Sequence, residues 1–225
     1  MIDFLKFEVI MAFKKYKTVA SGEIFTADYE IQKSKFIAHV KKVETEDEAR
    51  NFLQEIKKKH FDATHNCSAW ILGVNGEKQK SNDDGEPGGT AGNPILETIK
   101  KNDLVNVIVV VTRYFGGIKL GAGGLIRAYS HTAAIGLNAS KIIVMTPMQK
   151  ISIEINYNFL ASVEKWIRIK NISVENIDYA DNVTLNLLIA PKEVDDRLTE
   201  LTDLTSANFQ HTIKDEILVA LSDED

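Results

Sequence analysis

The sequence predicts an α+β chain of two domains, and three observations lead to this prediction. An apolar, β-branched segment over 105–112 runs into a glycine-rich loop and then into helical periodicity that continues to Gly136. Beyond Pro147 the apolar positions follow the order strand, helix, strand, strand, helix, strand, which is typical of a ferredoxin-like fold. The charge also divides, because Lys and Arg outnumber Asp and Glu by 20 to 17 up to Met148 but are outnumbered by 15 to 7 afterwards.

The predicted segments are an N-terminal extension at 1–14, a first domain at 15–147, and a second domain at 148–225 that ends in an acidic tail. A chain of 225 residues is long enough to bury two cores. The single cysteine excludes a disulfide framework, and no apolar run reaches the roughly 20 residues that span a bilayer. The N-terminus has no signal-peptide cleavage pattern, whether translation starts at Met1 or at Met11. These features predict a cytoplasmic protein.

The elements of the first domain are predicted from local patterns. Thr45 and Glu48 have the spacing of a capping box, so a helix is expected to begin there. Asn93 and Pro94 fit the N-cap and first position of a second helix. The segment 105–112 is so uniformly apolar that we expect a strand buried on both faces. In chain order, the predicted elements are a strand within 18–31, a strand over 33–42, a helix that ends at 57–60, a strand over 66–73, a helix from 93 to about 101, a strand over 105–112, a helix after 124, and a strand over 142–145.

In the second domain, alternating apolar and polar residues over 151–157 predict a strand with one solvated face. A helix follows, with Leu160, Val163 and Ile167 on its apolar face. Two strands over 172–179 and 183–189, a helix opened by Pro191 and a last strand that ends near Leu221 complete the expected pattern.

Nine of the thirteen glycines lie within 85–92 and 116–124, and three interpretations of this concentration stay open. The loops could form a mononucleotide site, an anion-binding surface for a nucleic-acid backbone, or turns that need glycine for structural reasons. Gly116 and Gly121 have the spacing of a phosphate-binding P-loop, but Ala122 and Gly123 stand where Lys and Ser or Thr are required. Ile126 likewise departs from the dinucleotide fingerprint.

Two further groups of side chains suggest chemistry. Asp83, Asp84 and Glu86 could coordinate Mg²⁺, cap local turns, or meet the cations of the second glycine loop across a gap. Cys67 and His65 are two residues apart on a predicted strand and so share a face, as a nucleophile and its base would. A lone cysteine among apolar residues is more often a small core residue. We therefore predict no catalytic residue, no metal and no cofactor.

Four segments together resemble the IMPACT/YigZ family in order and spacing over roughly residues 15–145. They are KSKFIAHV (33–40), HNCSAW (65–70), DDGEPGGTAGNP (83–94) and VVVTRYFGGIKLGAGGLIRAYS (109–130). The resemblance implies a first domain like the second domain of a small-subunit ribosomal protein, which is an α+β sandwich. It also implies a ferredoxin-like second domain similar to domain V of elongation factor G, as in the bacterial two-domain branch. In eukaryotes the family's IMPACT members restrain an amino-acid-starvation kinase by competing for its activator. Those members carry a different accessory domain, so the resemblance does not transfer that role to this chain.

We expect the two glycine loops to form one groove at the carboxyl edge of a parallel-type sheet. Asp83, Asp84 and Glu86 would then lie opposite Arg113 and Lys119. The predicted groove residues are His65, Asn66, Asp83, Asp84, Glu86, Gly88, Gly89, Thr90, Arg113, Tyr114, Gly116, Gly117, Lys119, Gly121, Gly123, Gly124 and Arg127. The predicted polyanion contacts are Lys33, Lys35, Arg113, Lys119 and Arg127.

The function predicted from this groove is non-enzymatic binding to RNA, the ribosome or a translation-related protein, with a regulatory role. We expect no membrane partner and no DNA specificity. One alternative is an enzyme that uses the glycine loops for phosphoryl transfer or hydrolysis, and another is a regulator whose groove takes a peptide of a partner protein. Fold alone does not decide among them.

Overall fold

The structure is a computed structural model that describes residues 13–222. It divides into two compact units, of which the larger contains residues 15–145 and the smaller contains residues 146–220. Each unit combines helices with an antiparallel sheet, so the predicted α+β class is confirmed. Most of the predicted acidic tail at 222–225 and most of the predicted extension at 1–14 lie outside the described residues.

The larger unit contains six complete strands, three helices and the start of a seventh strand. In chain order they are β1 (Tyr16–Val19), β2 (Phe25–Ile31), β3 (Ser34–Lys42), α1 (Glu46–Lys59), β4 (His65–Leu72), β5 (Lys78–Asn82), α2 (Gly92–Lys101), β6 (Val107–Tyr114), α3 (Gly121–Asn138) and β7 (Ile142–Ile155). Strands β2, β3, β6, β4 and β5 form one sheet in that order, with every neighbouring pair antiparallel. Strand β1 pairs with the first four residues of β7.

The central strand β6 is buried on both faces, as predicted. Val107, Val109 and Val111 belong to the core that includes residues of α2 and α3. Ile108 and Val110 belong to a second core that includes residues of α1. Because helices cover both faces, this strand needs apolar residues at every position rather than at alternate ones.

The prediction of a parallel-type sheet at the glycine loops is wrong. β4 and β6 are antiparallel, so the chain leaves the end of β4 at the edge opposite the end of β6. Strand β5 pairs antiparallel with β4 and carries the chain back to the edge where β6 ends. The sequence KQKSN of β5 has no apolar alternation, because β5 is an edge strand and its side chains are largely exposed.

Two of the three helices in the larger unit start at positions that differ from the predicted ones. Thr45 caps α1 as predicted, because its hydroxyl accepts a hydrogen bond from the Glu48 backbone N–H at 3.2 Å. Helix α2 begins at Gly92, with Ala91 as its N-cap, rather than at Asn93 and Pro94. Helix α3 begins at Gly121 rather than after Gly124, so its first turn is almost entirely glycine.

Small residues on α3 allow it to lie close to the sheet. A Cβ atom added at Gly136 would lie 2.6 Å from the Cβ of Ala38 on β3. Ala128 and Ala133 are buried on the same helix. This face of α3 is therefore a packing surface against the sheet.

The smaller unit contains the second part of β7, followed by α4 (Tyr157–Ile169), β8 (Ser173–Tyr179), β9 (Val183–Ile189), α5 (Val194–Thr205) and β10 (Phe209–Ser222), with a short 3₁₀ turn (Pro191–Glu193) before α5. The sheet order is β10, β7, β9, β8, so the predicted βαββαβ arrangement is confirmed. The two strands predicted over 142–145 and 151–157 form one continuous strand, and Tyr157 begins α4 instead of ending β7.

We propose that the two units fold separately, because each has its own core. Each unit also has its own tryptophan, which can report its unfolding. Trp70 packs against the core of α1 in the larger unit, and Trp166 belongs to the core of the smaller unit. The variants Trp70→Phe and Trp166→Phe each retain one tryptophan, so their fluorescence should report unfolding at different denaturant concentrations. Circular dichroism of the unsubstituted protein should show both transitions. Coincident transitions in both variants would contradict separate folding.

Candidate functional site

Two loops meet at one edge of the large sheet and border a cleft of about 420 Å³. We call residues 83–91, between β5 and α2, the acidic loop, and residues 115–120, between β6 and α3, the glycine loop. The cleft is lined by Thr64, His65, Glu86, Pro87, Arg113, Phe115, Lys119, Leu120, Gly121, Ala122 and Leu125. The hairpin of β4 and β5 thus brings together segments that lie about 30 residues apart in the chain.

A buried ion pair joins the acidic loop to β6. Arg113 Nη1 donates to Glu86 Oε1 at 2.6 Å, and the two side chains are only 6% and 3% exposed. The hydroxyl of Tyr129 on α3 donates to the same carboxylate oxygen at 2.8 Å. Glu86 therefore links the acidic loop to both the central strand and α3.

Cys67 completes this network as a weak donor. Its thiol lies 3.3 Å from the Tyr129 hydroxyl and 3.0 Å from the backbone carbonyl of Asp83. Burial raises the pKa of Cys67 to about 12, and it also raises the pKa of Tyr129. Cys67 therefore stays a thiol near neutral pH, which is unsuited to nucleophilic attack.

The other two carboxylates of the acidic loop are also engaged. Asp83 accepts hydrogen bonds from the backbone N–H groups of Gly89, Ala91 and Gly92, and so caps the start of α2. Burial opposes ionisation of Asp83, but these three hydrogen bonds hold its pKa below the usual range. Asp84 pairs with Lys57 at 2.6 Å instead of facing Arg113 or Lys119. Only Glu86 meets Arg113 as expected.

His65 lies beside the ion pair in a defined orientation. Its Nδ1 is 2.8 Å from the backbone carbonyl of Asp84, and its Nε2 is 3.9 Å from Glu86 Oε1. A carbonyl only accepts, so we assign the Nδ1 proton to this hydrogen bond. His65 and Cys67 share one face of β4, as predicted, but their side chains make separate contacts.

The first turn of α3 opens onto the cleft without a cap. The side chain of its N-cap residue, Leu120, makes no capping hydrogen bond, and no acidic residue lies in its first turn. The backbone N–H groups there carry the positive end of the helix dipole. Gly121 and Ala122 line the cleft, so this partial charge faces it.

Exposed cations surround the same turn. Lys33, Lys119 and Arg127 are exposed, and none of them has a carboxylate partner among residues 13–222. Gly116 packs against the backbone of Lys33, which places Lys33 beside the glycine loop. Lys35 differs, because its ammonium group pairs with Asp28 at 2.7 Å.

Several predicted groove residues do not line the cleft. Tyr114 lies on the opposite face of β6, where its hydroxyl contacts His60 Nδ1 at 2.9 Å. Asn66 also points to that face and accepts from the Thr112 hydroxyl. Thr90 is buried, and its hydroxyl donates to the carbonyl of Pro87. The remaining predicted residues outside the lining are the loop or first-turn positions Gly88, Gly89, Gly116, Gly117, Gly123 and Gly124, together with Asp83, Asp84 and Arg127.

The sequence does not mark Tyr129 as a site residue, because it lies among the mostly apolar residues that α3 buries. A hydroxyl at a fully buried position needs a partner, and this could have signalled its role. Leu120 and Leu125 give no local signal that distinguishes them from core residues.

Comparison with known proteins gives the family. Residues 32–137 match the model of the Impact N-terminal domain, and residues 153–208 match a domain of unknown function, DUF1949. The chain is 46% identical to the IMPACT family member YvyE of Bacillus subtilis over 78% of this chain and 81% of that protein. The protein belongs to the IMPACT family. The resemblance seen in the sequence is confirmed.

Other comparisons agree with this family assignment. The IMPACT family member YigZ of Escherichia coli is 31% identical over 80% of this chain and 90% of that protein. A crystal structure of a hypothetical protein is 28% identical, with a TM-score of 0.58, and the match covers 90% of this chain and 98% of that one. No helix within residues 13–222 of this IMPACT-family chain has the length and apolar character to cross a membrane.

Proposed function

We propose that this IMPACT-family protein is a cytoplasmic, non-enzymatic binding protein that contacts RNA of the translation machinery through the cleft and its rim. The observation that carries the proposal is a set of three cations around the first turn of α3, Lys33, Lys119 and Arg127, which have no carboxylate partner within residues 13–222. Such cations neutralise phosphates, and backbone N–H groups at a helix start add further donors. A regulatory role in translation is part of the same proposal.

Phe115 supports single-stranded RNA as the partner. Its side chain is 46% exposed at the start of the glycine loop, and the Arg113 guanidinium lies 5.5 Å from its ring centroid. An exposed aromatic ring beside cations is a platform on which a base can stack. Double-stranded nucleic acid does not offer unstacked bases, so DNA duplexes are not the expected ligand.

The arrangement favours binding over catalysis. The thiol of Cys67 is buried and protonated near neutral pH. Asp83 and Asp84 are held by backbone N–H groups and Lys57, and Glu86 is held by Arg113 and Tyr129. These groups stabilise the loops that shape the cleft, and none presents a free carboxylate to a substrate.

The test is charge reversal at the rim. The double variant Lys119→Glu/Arg127→Glu should weaken binding to a short single-stranded RNA by at least about tenfold at low salt, because two phosphate contacts become repulsive. The logarithm of the association constant falls with the logarithm of salt concentration, and the steepness of this fall should decrease by about 1.4 if two phosphate contacts are lost. Fluorescence anisotropy over a salt series measures both quantities.

The matched control is Lys101→Glu/Lys141→Glu, which reverses two exposed lysines elsewhere in the same unit. This control should keep near-native affinity, and circular dichroism should show both double variants folded. Equal weakening by the two double variants, or no RNA binding by the unsubstituted protein at low salt, would overturn the proposal.

A further inference from the structure

Two glycines at the cleft have no structural requirement. A Cβ atom at Gly88 would meet nothing within 4 Å, and one at Gly123 would meet only the tip of Arg127 at 3.8 Å. Neither residue has the positive φ that favours glycine. By contrast, Gly121 has φ +70°, and a Cβ atom at Gly116 would lie 2.0 Å from the Lys33 backbone. One of these glycines thus lies in the acidic loop and the other in the first turn of α3. Each is next to a residue that lines the cleft, as close approach by a ligand would require.

Arg113 has hydrogen-bonding capacity that the protein leaves unused. Within residues 13–222 the guanidinium group hydrogen-bonds only through Nη1 to Glu86. Its Nε is fully buried without a partner, and its Nη2 is neither hydrogen-bonded nor fully buried. The side chain is more than nine-tenths buried, and it lines the cleft. Nη2 is therefore a donor that a ligand in the cleft can reach, and an acceptor on the ligand would use the hydrogen-bonding capacity that the protein leaves open.

The charges around the cleft indicate which ligand fits. Arg113 and Glu86 cancel, which leaves Lys119 and about half a positive charge at the start of α3. A phosphate monoester carries about −1.5 to −2 near neutral pH, whereas a diester carries a single negative charge. The monoester matches the cleft more closely.

We propose that the cleft holds one terminal phosphate monoester of a nucleotide, bound by the first-turn N–H groups of α3, by Arg113 and by Lys119. The attached base stacks on the exposed ring of Phe115. A volume of about 420 Å³ is within the range of small-ligand sites, so one nucleotide fits. This inference deepens the proposed function and rests on it for the source of the nucleotide, which is the phosphorylated end of a single-stranded RNA.

The decisive pair of variants is Ala122→Glu and Ala122→Gln. Ala122 is exposed in the first turn of α3 and lines the cleft. A carboxylate there interacts favourably with the positive end of the helix dipole, so the glutamate variant should be at least as stable as the unsubstituted protein. The same carboxylate would repel a phosphate and occupy its place at the first turn of α3. Glutamine has nearly the same shape without the charge and is the matched control.

Calorimetric titration with adenosine 5′-monophosphate, inorganic phosphate and adenosine tests the subsite. We expect the nucleotide to bind more tightly than inorganic phosphate and adenosine not to bind. Ala122→Glu should bind the nucleotide at least tenfold more weakly than Ala122→Gln, because the two side chains fill similar space but only glutamate is charged, and thermal unfolding should show both variants folded. Equal effects of the two variants, or binding of adenosine as tight as that of the nucleotide, would overturn the subsite.

Anisotropy with one RNA sequence, carrying either a 5′-phosphate or a 5′-hydroxyl, separates this inference from the proposed function. Tighter binding of the phosphorylated RNA supports both the phosphate subsite and the proposed RNA binding. If both RNAs bind equally and Ala122→Glu changes neither, the subsite is wrong while RNA binding stands. If the free nucleotide binds but neither RNA does, the phosphate subsite stands, whereas RNA as its source and the proposed function are wrong.

Discussion

Replacement of Glu86 by alanine is expected to lower the free energy of unfolding of the larger unit by about 3–5 kcal/mol. The substitution leaves the Arg113 guanidinium, which is only 6% exposed, without its counter-charge. It also removes the acceptor of the buried Tyr129 hydroxyl. Uncompensated burial of a charge is among the largest single-residue effects in proteins. Chemical denaturation followed by Trp70 fluorescence, with Trp166→Phe present in both the reference and the variant, measures the loss.

The double variant Glu86→Ala/Arg113→Met separates charge burial from lost packing. Because the charge is absent in the double variant, we expect it to be more stable than the sum of the single effects predicts. The variant Tyr129→Phe is the control for the hydroxyl and should cost only about 1–2 kcal/mol. Additive effects of the two single substitutions would show that the pair contributes no coupling.

Acidification is expected to destabilise the larger unit through His39. This side chain is 2% exposed, and both ring nitrogens lack partners within residues 13–222. Burial lowers the pKa of His39 to about 4, with smaller contributions from His60 and Lys59 and an opposing one from Asp28. The unfolded chain, with a pKa near 6.5, therefore binds more protons than the folded chain between about pH 6.5 and pH 4.

This difference in proton binding determines how stability changes with pH. The contribution of His39 to stability is fully present above about pH 6.5 and is lost as pH falls towards the folded-state pKa. By pH 4 the loss from this group is about 3 kcal/mol. Burial also lowers the pKa of His60, whose ring centroid lies 4.9 Å from that of His39, so His60 acts in the same direction.

Denaturation midpoints of the larger unit, measured from pH 7 to pH 4, check this expectation. The variant His39→Leu should show a flatter dependence of stability on pH, whatever its stability at pH 7. The control His131→Gln replaces an exposed histidine and should keep the dependence of the unsubstituted protein. If His39→Leu and the unsubstituted protein lose stability in parallel over this range, His39 is not the group responsible.

Much of the fold was predictable from the sequence because its causes are local. The apolar run of β6, the capping threonine before α1 and the alternation in the second half of β7 each depend on neighbouring residues. The concentration of glycine and the family segments likewise located the two loops. These patterns determined the fold class, the order of most elements and the part of the chain that carries the candidate site.

Only the tertiary structure decided how the loops become a site. The polar edge strand β5 has no local signal, yet it brings the acidic loop to the edge where β6 ends. Glu86 reaches Arg113 across 27 residues and Tyr129 across 43, and no local pattern specifies such pairs. The structure also separates glycines that the backbone requires from Gly88 and Gly123, which it does not require. Hydrogen bonding and close packing depend on which segments are neighbours in space, and the antiparallel sheet determines those neighbours.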